Sequence, residues 1–139
     1  ETMKMALQLA SFGVLIFATV HTNSAAATIE RFVNAFPVEE QPQIRAMLAD
    51  SLAGVVAQQL LKRADGKGRI AAHEILISNT GVASAIRETK INMLTNLIKS
   101  GASQGMQAMD ATLHKMVTAG SITAQDALEK AIGERCQGR

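Results

Sequence analysis

The stretch VLIFATVHTNSAA, residues 14 to 26, decides how the rest of the chain is read. Seven apolar or hydroxyl-bearing residues, rich in β-branched types, run from Val14 to Val20. They give way at once to His21, Thr22, Asn23 and Ser24, all with hydrogen-bonding side chains. A short, nearly all-apolar run of this kind predicts a strand buried on both faces, as in the interior of a parallel sheet. In open α/β sheets ligands bind beyond the carboxyl ends of the strands. A polar block there, directly before a helix N-terminus, is placed to meet an anion, because the first helical N–H groups are unpaired and partly positive. A plainer reading stays open beside it. A His after a strand commonly serves as a turn residue, and Ser or Thr commonly does no more than cap the helix.

Upstream, ETMKMALQLASFG places Met3, Leu7 and Ala10 on one helical stripe that Gly13 ends. Downstream, Ser24 is positioned to cap a helix carrying Ile29, Phe32, Val33 and Phe36 on one face, closed by Pro37. A longer helix opens around Glu39 to Pro42, where early acids suit its dipole, with a stripe of Ile44, Met47, Leu48, Leu52, Val55 and Val56. The segments QQLLKR and GRIAAHEIL, joined through Ala64 to Lys67, read as a β-hairpin. Everything after Asn79 reads helical. Ile91, Leu94 and Ile98 form one stripe before Gly101, and Met106, Met109, Leu113, Met116 and Val117 form another before Gly120. Thr123 with Asp126 three residues on resembles a capping box, followed by Leu128, Ala131 and Ile132.

A strand buried on both faces requires neighbours on both sides, and the remainder of the chain offers only a hairpin. The expectation is a piece of a larger α/β domain whose other strands lie upstream. With 139 residues, 47% hydrophobic and 19% charged, the chain has globular composition and can bury a core. It lacks Trp and Tyr and fills its apolar positions with Ala, Leu, Ile and Met, which favours packed helices.

The net charge of +2 and the want of stacking aromatics argue against nucleic acid as a partner. Lys62, Arg63, Lys67 and Arg69 straddle a turn and read as a solvated hairpin end. The single cysteine, Cys136, excludes an intrachain disulfide and fits a reducing compartment. No apolar run is long enough to span a bilayer, and no basic-then-apolar signal opens the chain, so a cytoplasmic protein without membrane insertion is expected. His73-Glu74 suggests a zinc-protease HExxH motif, but Ile77 stands where the second His is required. His21, His73, His114 and Cys136 lack metal-ligand spacing, and no metal is expected. No GxxxxGK[ST] loop is present, and nothing around Ser24 resembles a nucleophile elbow.

The segments FATVHTNSAAATIERFVNAFP, VEEQPQIRAMLADSLAGVVAQQLLKR, GRIAAHEIL and GASQGMQAMD resemble the C-terminal half of the PilT family. These are the type IV pilus retraction ATPases, within the superfamily of type II/IV secretion and conjugation ATPases. The resemblance runs from Glu1 to about Ala131, and its most specific piece is HTNSAA, the family's His box. It implies the C-terminal portion of a RecA-like P-loop ATPase domain over residues 1–78, with the buried strand and hairpin, followed by a helical subdomain over 79–139. It also implies that His21 approaches the terminal phosphate of ATP, with Thr22 and Asn23 completing the motif.

The family's phosphate-binding loop, acidic box and Walker B glutamate have no counterpart among these residues. Glu1-Thr2 resembles the segment just after Walker B. The family's charge-neutralising arginines come from an N-terminal domain. ATP and Mg²⁺ are thus implied for the full-length protein and neither for these residues alone, which are expected to be inactive by themselves. A homo-hexamer is implied, working against an inner-membrane platform protein of a pilus or secretion system, at the inner face of the cell membrane.

Two departures bear on the role. Phe12-Gly13-Val14 stands where the family usually has Thr-Gly-His, and the retraction motif AIRNLIRE is represented by GVASAIRE, keeping Ile86, Arg87 and Glu88. A sister motor for secretion or conjugation therefore stays open. So does a non-enzymatic helical interaction module that keeps the motor's C-terminal shape.

Overall fold

The structure, a computed structural model, describes residues 2–131; Glu1, Ile132 and Cys136, which entered the sequence reading, lie outside the described residues. Among the described residues seven helices and one hairpin follow in order: α1 Thr2–Ser11, α2 Ala25–Asn34, α3 Gln41–Ser51, β1 Gly54–Lys62, β2 Arg69–Ile77, α4 Thr80–Arg87, α5 Leu94–Ser100, α6 Met109–Thr118 and α7 Ala124–Lys130. Short 3₁₀ turns at Ile91–Met93 and Ala102–Gln104 precede and follow α5.

The hairpin forms where the alternation predicts it, and is longer than the two quoted segments. It is antiparallel, with register from Gly54 opposite Ile77 to Lys62 opposite Arg69. Its inner face presents Ala57, Gln59 and Leu61 beside Ala72, Glu74 and Leu76, all buried. The opposite face carries Val56, Gln58 and Leu60, as the two-residue period requires. Gly66 and Gly68 turn the loop with φ of +70° and +95°, values that side-chain-bearing residues adopt at a cost. The basic residues of the loop are solvated as expected, and Arg63 pairs with Asp65 at 2.8 Å.

Two expectations are corrected. Val55 and Val56 do not continue the α3 stripe; α3 stops at Ser51, and both residues belong to β1. The chain turns extended at Leu52 (ψ 123°), and the β-branched pair then supplies strand rather than helix propensity. Gly54 allows close pairing there, since a Cβ on it would lie 2.8 Å from the Leu76 carbonyl oxygen. The second correction concerns residues 14–20. They form neither helix nor strand, and Phe17 is 90% exposed with Leu15 close behind. Among the described residues β1 and β2 pair only with each other, so no strand lies alongside to take up this segment's backbone groups or cover its faces.

The caps follow their sequence signals, but the stripe expected of the last helix is not realised: Leu128 is 74% exposed, and Ala131 lies past the end of α7. Ser24 caps α2 by accepting from the Ala27 N–H at 3.1 Å, and Ile29 and Val33 are buried while Phe32 and Phe36 pack at 5.7 Å. The Asn79 carboxamide caps α4 through the Val82 N–H at 2.9 Å. Thr123 caps α7, accepting from the Asp126 N–H at 3.1 Å and donating its hydroxyl to the Asp126 carboxylate at 2.7 Å. Met106 precedes α6 rather than lying in it, because Gln107 makes a short antiparallel bridge with Ile75.

Two apolar clusters result. The larger joins Leu7, Ile29, Val33, Ile44, Leu48, Leu76, Val82, Ile86, Leu94 and Ile98, spanning α1 to α5. The smaller joins Leu61, Ala72, Met109, Leu113 and Ile122, between the hairpin and α6. No helix among the described residues is long and apolar enough to cross a membrane.

Candidate functional site

His21, Thr22 and Asn23 line one open groove of about 680 Å³. Its other wall is α2, through Ala27, Glu30, Arg31 and Asn34, with Ala35 just past the helix end. These recur at helical spacing and so share one face of α2. Arg31 reaches back across the groove and donates from Nη1 to the His21 carbonyl at 3.3 Å. That bond ties the extended chain to the helix and leaves the His21 and Asn23 side chains exposed. Thr22 is half-buried, its hydroxyl 2.5 Å from that of Thr28, which in turn donates to the Ser24 carbonyl at 2.8 Å.

The N-terminus of α2 is less available to an outside anion than its position suggests. The Ala25 N–H is buried and donates to Glu74 Oε1 at 2.9 Å, and the Ala27 N–H is taken by the Ser24 cap. Two of the first three helical donors are thereby committed inside the protein. The polar side chains that line the groove are those of His21, Thr22, Asn23, Arg31 and Asn34, with the acidic Glu30 beside Arg31. The sequence reading does not include Arg31, whose place follows only once α2 turns the face carrying residues 27, 30, 31 and 34 toward the polar block. Glu74 was seen only as half of a rejected zinc motif. The signal for its actual place was its parity: a carboxylate between Ala72 and Leu76 falls on the core side of β2.

Ile86, Arg87 and Glu88 are not among the residues lining this groove. Ile86 is fully buried in the larger cluster, together with Ile29 and Val33 of α2. Arg87 forms an ion pair with Asp50, linking the end of α4 to the end of α3. Glu88 accepts from the Ser84 hydroxyl at 3.0 Å and pairs with Lys90 at 2.6 Å. The Lys90 ammonium, then the Ser84 hydroxyl, hold the Glu88 carboxyl below its usual range. Thr89, next in sequence, takes φ +61°, and the Lys90 N–H closes the turn on the Ala85 carbonyl at 2.9 Å. A left-handed conformation is uncommon for a β-branched residue, so the end of this motif is under backbone strain.

His73 confirms the rejection of the HExxH reading: it lies on a strand, and its Nε2 is 3.0 Å from the Gln58 carboxamide oxygen. Among the described residues no group of three His, Cys, Asp or Glu side chains is placed to hold a metal ion.

Comparison with known proteins agrees with the resemblance read from the sequence. Across 131 residues, 94% of this chain, it is 44% identical to a twitching motility protein of Neisseria gonorrhoeae and 45% identical to the type IV pilus retraction ATPase PilT of Pseudomonas aeruginosa. Those 131 residues cover 35% and 38% of the two relatives, so the chain spans little more than a third of their length. The fold superposes on a crystal structure of the pilus retraction motor PilT with bound ADP, with a TM-score of 0.82 and 40% identity over 94% of this chain and 36% of that one. The ATPase DotB of Legionella pneumophila gives a TM-score of 0.74 at 25% identity, over 91% of this chain and 34% of that one. The helices and hairpin described above thus match the corresponding part of the α/β fold of those two structures. Residues 1–129 match the profile of the type II/IV secretion system proteins, and the chain belongs to that family.

Proposed function

We propose that these residues form the C-terminal part of a hexameric ATP-hydrolysing motor that drives type IV pilus retraction and twitching motility. The observation that carries the reading is the groove at the head of α2, where His21, Thr22 and Asn23 face Arg31. It occurs in a chain that superposes over 94% of its length on an ADP-bound retraction motor.

The donor set suits a phosphate. An imidazole, a carboxamide and a guanidinium offer N–H groups to an oxyanion from different directions. Hydrolysis is in-line attack of water on the terminal phosphate, where positioning and charge neutralisation supply most of the rate. His21 would hold the terminal phosphate from the side opposite the phosphate-binding loop. Loss of that phosphate would release His21 and, through Arg31 on its carbonyl, alter its hold on α2. Thr22, its hydroxyl held against that of Thr28, keeps the loop in shape, while Asn23 adds its carboxamide to the donors. In P-loop motors Mg²⁺ is held by a Ser or Thr of the phosphate-binding loop and a Walker B acid, and neither motif occurs in these residues. The 139 residues alone are accordingly expected to turn over no ATP.

In this reading residues 1–78 complete a RecA-like core and 79–139 are its helical subdomain. Arg87 and Glu88 serve retraction rather than hydrolysis, through the link of Arg87 to Asp50. The partner is an inner-membrane platform protein, met at the cytoplasmic face of the membrane. The likeness to DotB supports a second reading, in which the same engine serves secretion or conjugation.

The test is ATP turnover by the full-length gene product. His21→Ala is expected to lower kcat by about 10²-fold, the usual cost of deleting one preorganised transition-state donor. Full activity in that variant refutes the assignment. An intact cellular mass near the 14.7 kDa of these residues would instead favour a non-enzymatic adaptor. An Arg87→Ala strain that hydrolyses ATP but cannot retract its pili would separate the retraction motor from its secretion sisters.

A further inference from the structure

The hairpin's inner face is apolar except at two diagonal neighbours, Gln59 and Glu74, both buried and the latter only 4% exposed. A core carboxylate is costly unless every oxygen is matched. Each of these side chains is matched twice, and each time by backbone from two separate regions. Glu74 Oε1 accepts from the Ala25 N–H at 2.9 Å, and Oε2 faces the Met109 N–H at 3.4 Å. Gln59 Nε2 donates to the Asn23 carbonyl and to the Lys130 carbonyl, both at 3.2 Å.

The pattern is not arbitrary. Ala25 and Met109 are the first residues of α2 and α6, so Glu74 sits between the positive ends of two helices. Lys130 is the last residue of α7, so Gln59 gives one of its two amide protons to that helix's negative end and the other to Asn23. The end of the His21–Ser24 loop is therefore gripped at the Asn23 carbonyl and, just past it, at the Ala25 amide that opens α2, and each gripping side chain has its other hand on a C-terminal helix.

We propose that Gln59 and Glu74 are positioning residues that couple the His21–Ser24 loop to α6 and α7. A shift of the loop changes what Glu74 and Gln59 can offer to Met109 and Lys130. Networks buried in low dielectric transmit such changes, because leaving one member unpaired is expensive. The role in turnover rests on the ATPase reading; the coupling itself does not. A Gln at position 74 has one acceptor and one NH₂ donor, so it can satisfy one helix N-terminus and must oppose the other. The variant should still fold, because α6 is also docked on β2 by Gln107 and Thr112, which both donate to the His73 carbonyl (2.8 and 3.1 Å).

Amide exchange in the full-length gene product provides the test. Ser24→Ala uncaps α2 at the loop end. It is expected to speed exchange at Met109 to Thr112 about 5- to 10-fold in the parent and less than about twofold in a Glu74→Gln background. Equal acceleration in both backgrounds overturns the coupling. Should Glu74→Gln fail to fold, the same cycle is run on Gln59→Met, which keeps the volume, and read at residues 127–131 with the same two outcomes. In turnover, Glu74→Gln is expected to lower kcat about tenfold with KM for ATP within about twofold, as a misplaced group does. An unchanged kcat overturns the positioning role. Absence of turnover by the unmutated product would refute the ATPase function alone, since the exchange cycle uses no nucleotide.

Discussion

Residues 14–20 and β2 carry much the same message in their sequence and meet opposite ends in the structure. Both are short and rich in aliphatic and β-branched residues. β2 pairs along its whole length with β1 and buries Ala72, Glu74 and Leu76 beneath α2 and α6. Residues 14–20 pair with nothing among the described residues and leave Phe17 and Leu15 in solvent. Apolar β-propensity records a fit to a covered, pleated surface rather than an inclination of the backbone. A strand signal is a request for neighbours, and it is fulfilled only where the neighbours are present.

The sharpest way to test that contrast is a matched pair of truncations. Leu76→Ala empties a fully buried site and is expected to cost about 3 kcal/mol in urea unfolding of this chain. Phe17→Ala removes a larger side chain and is expected to change stability by less than about 0.5 kcal/mol. A large loss from Phe17→Ala would show that the segment is covered after all. Gly54→Ala probes how closely the two paired strands must approach: its Cβ would press on the Leu76 carbonyl, and a loss of about 2 kcal/mol is expected from the same unfolding curves. Ser24→Ala tests the junction between the unpaired segment and the packed helices, with an expected loss of about 1 kcal/mol for one missing cap.

The smallest effect belongs to the solvated tip of the hairpin. The Arg63 guanidinium, aided by the Lys67 N–H, lowers the Asp65 carboxyl from 3.8 to about 2. A depressed carboxylate contributes stability that is present above its unfolded pKa and lost as pH falls through the folded one. The Tm difference between the parent and Asp65→Asn should therefore be slight, constant near neutrality, and vanish between pH 3.8 and about 2. A difference that grows in acid would reverse the assignment.

Those elements whose signals are local were legible in the sequence. The caps at Ser24 and Thr123, the stripe of Ile29 and Val33 and the hairpin alternation each depend on residues a few positions apart, and each formed. The groove was legible in part: His21, Thr22 and Asn23 do share it, but Arg31 entered through a helix face that the polar block did not announce. Glu74 and Gln59 were out of reach because their partners Met109, Asn23, Ala25 and Lys130 stand 35, 36, 49 and 71 residues away. The end of α3 was missed because Val55 and Val56 extend a helical stripe as well as they begin a strand. The extended turn at Leu52 and the pairing of both residues with β2, made close by Gly54, decide between the two.

The alternation of His73 and Glu74 across β2 also bears on how the chain avoids misfolding. A slip of one residue in the hairpin would exchange the two faces. It would thrust the imidazole and Ile75 inward and carry the carboxylate out, leaving the first amides of α2 and α6 to share an imidazole that has one acceptor nitrogen where the carboxylate had two oxygens. Among apolar residues such an error could be nearly neutral, since Ala71 and Ile75 would fill the space of Ala72 and Leu76. A single charge at one parity makes the wrong alignment far costlier than the right one, and so proofreads the hairpin as it zips.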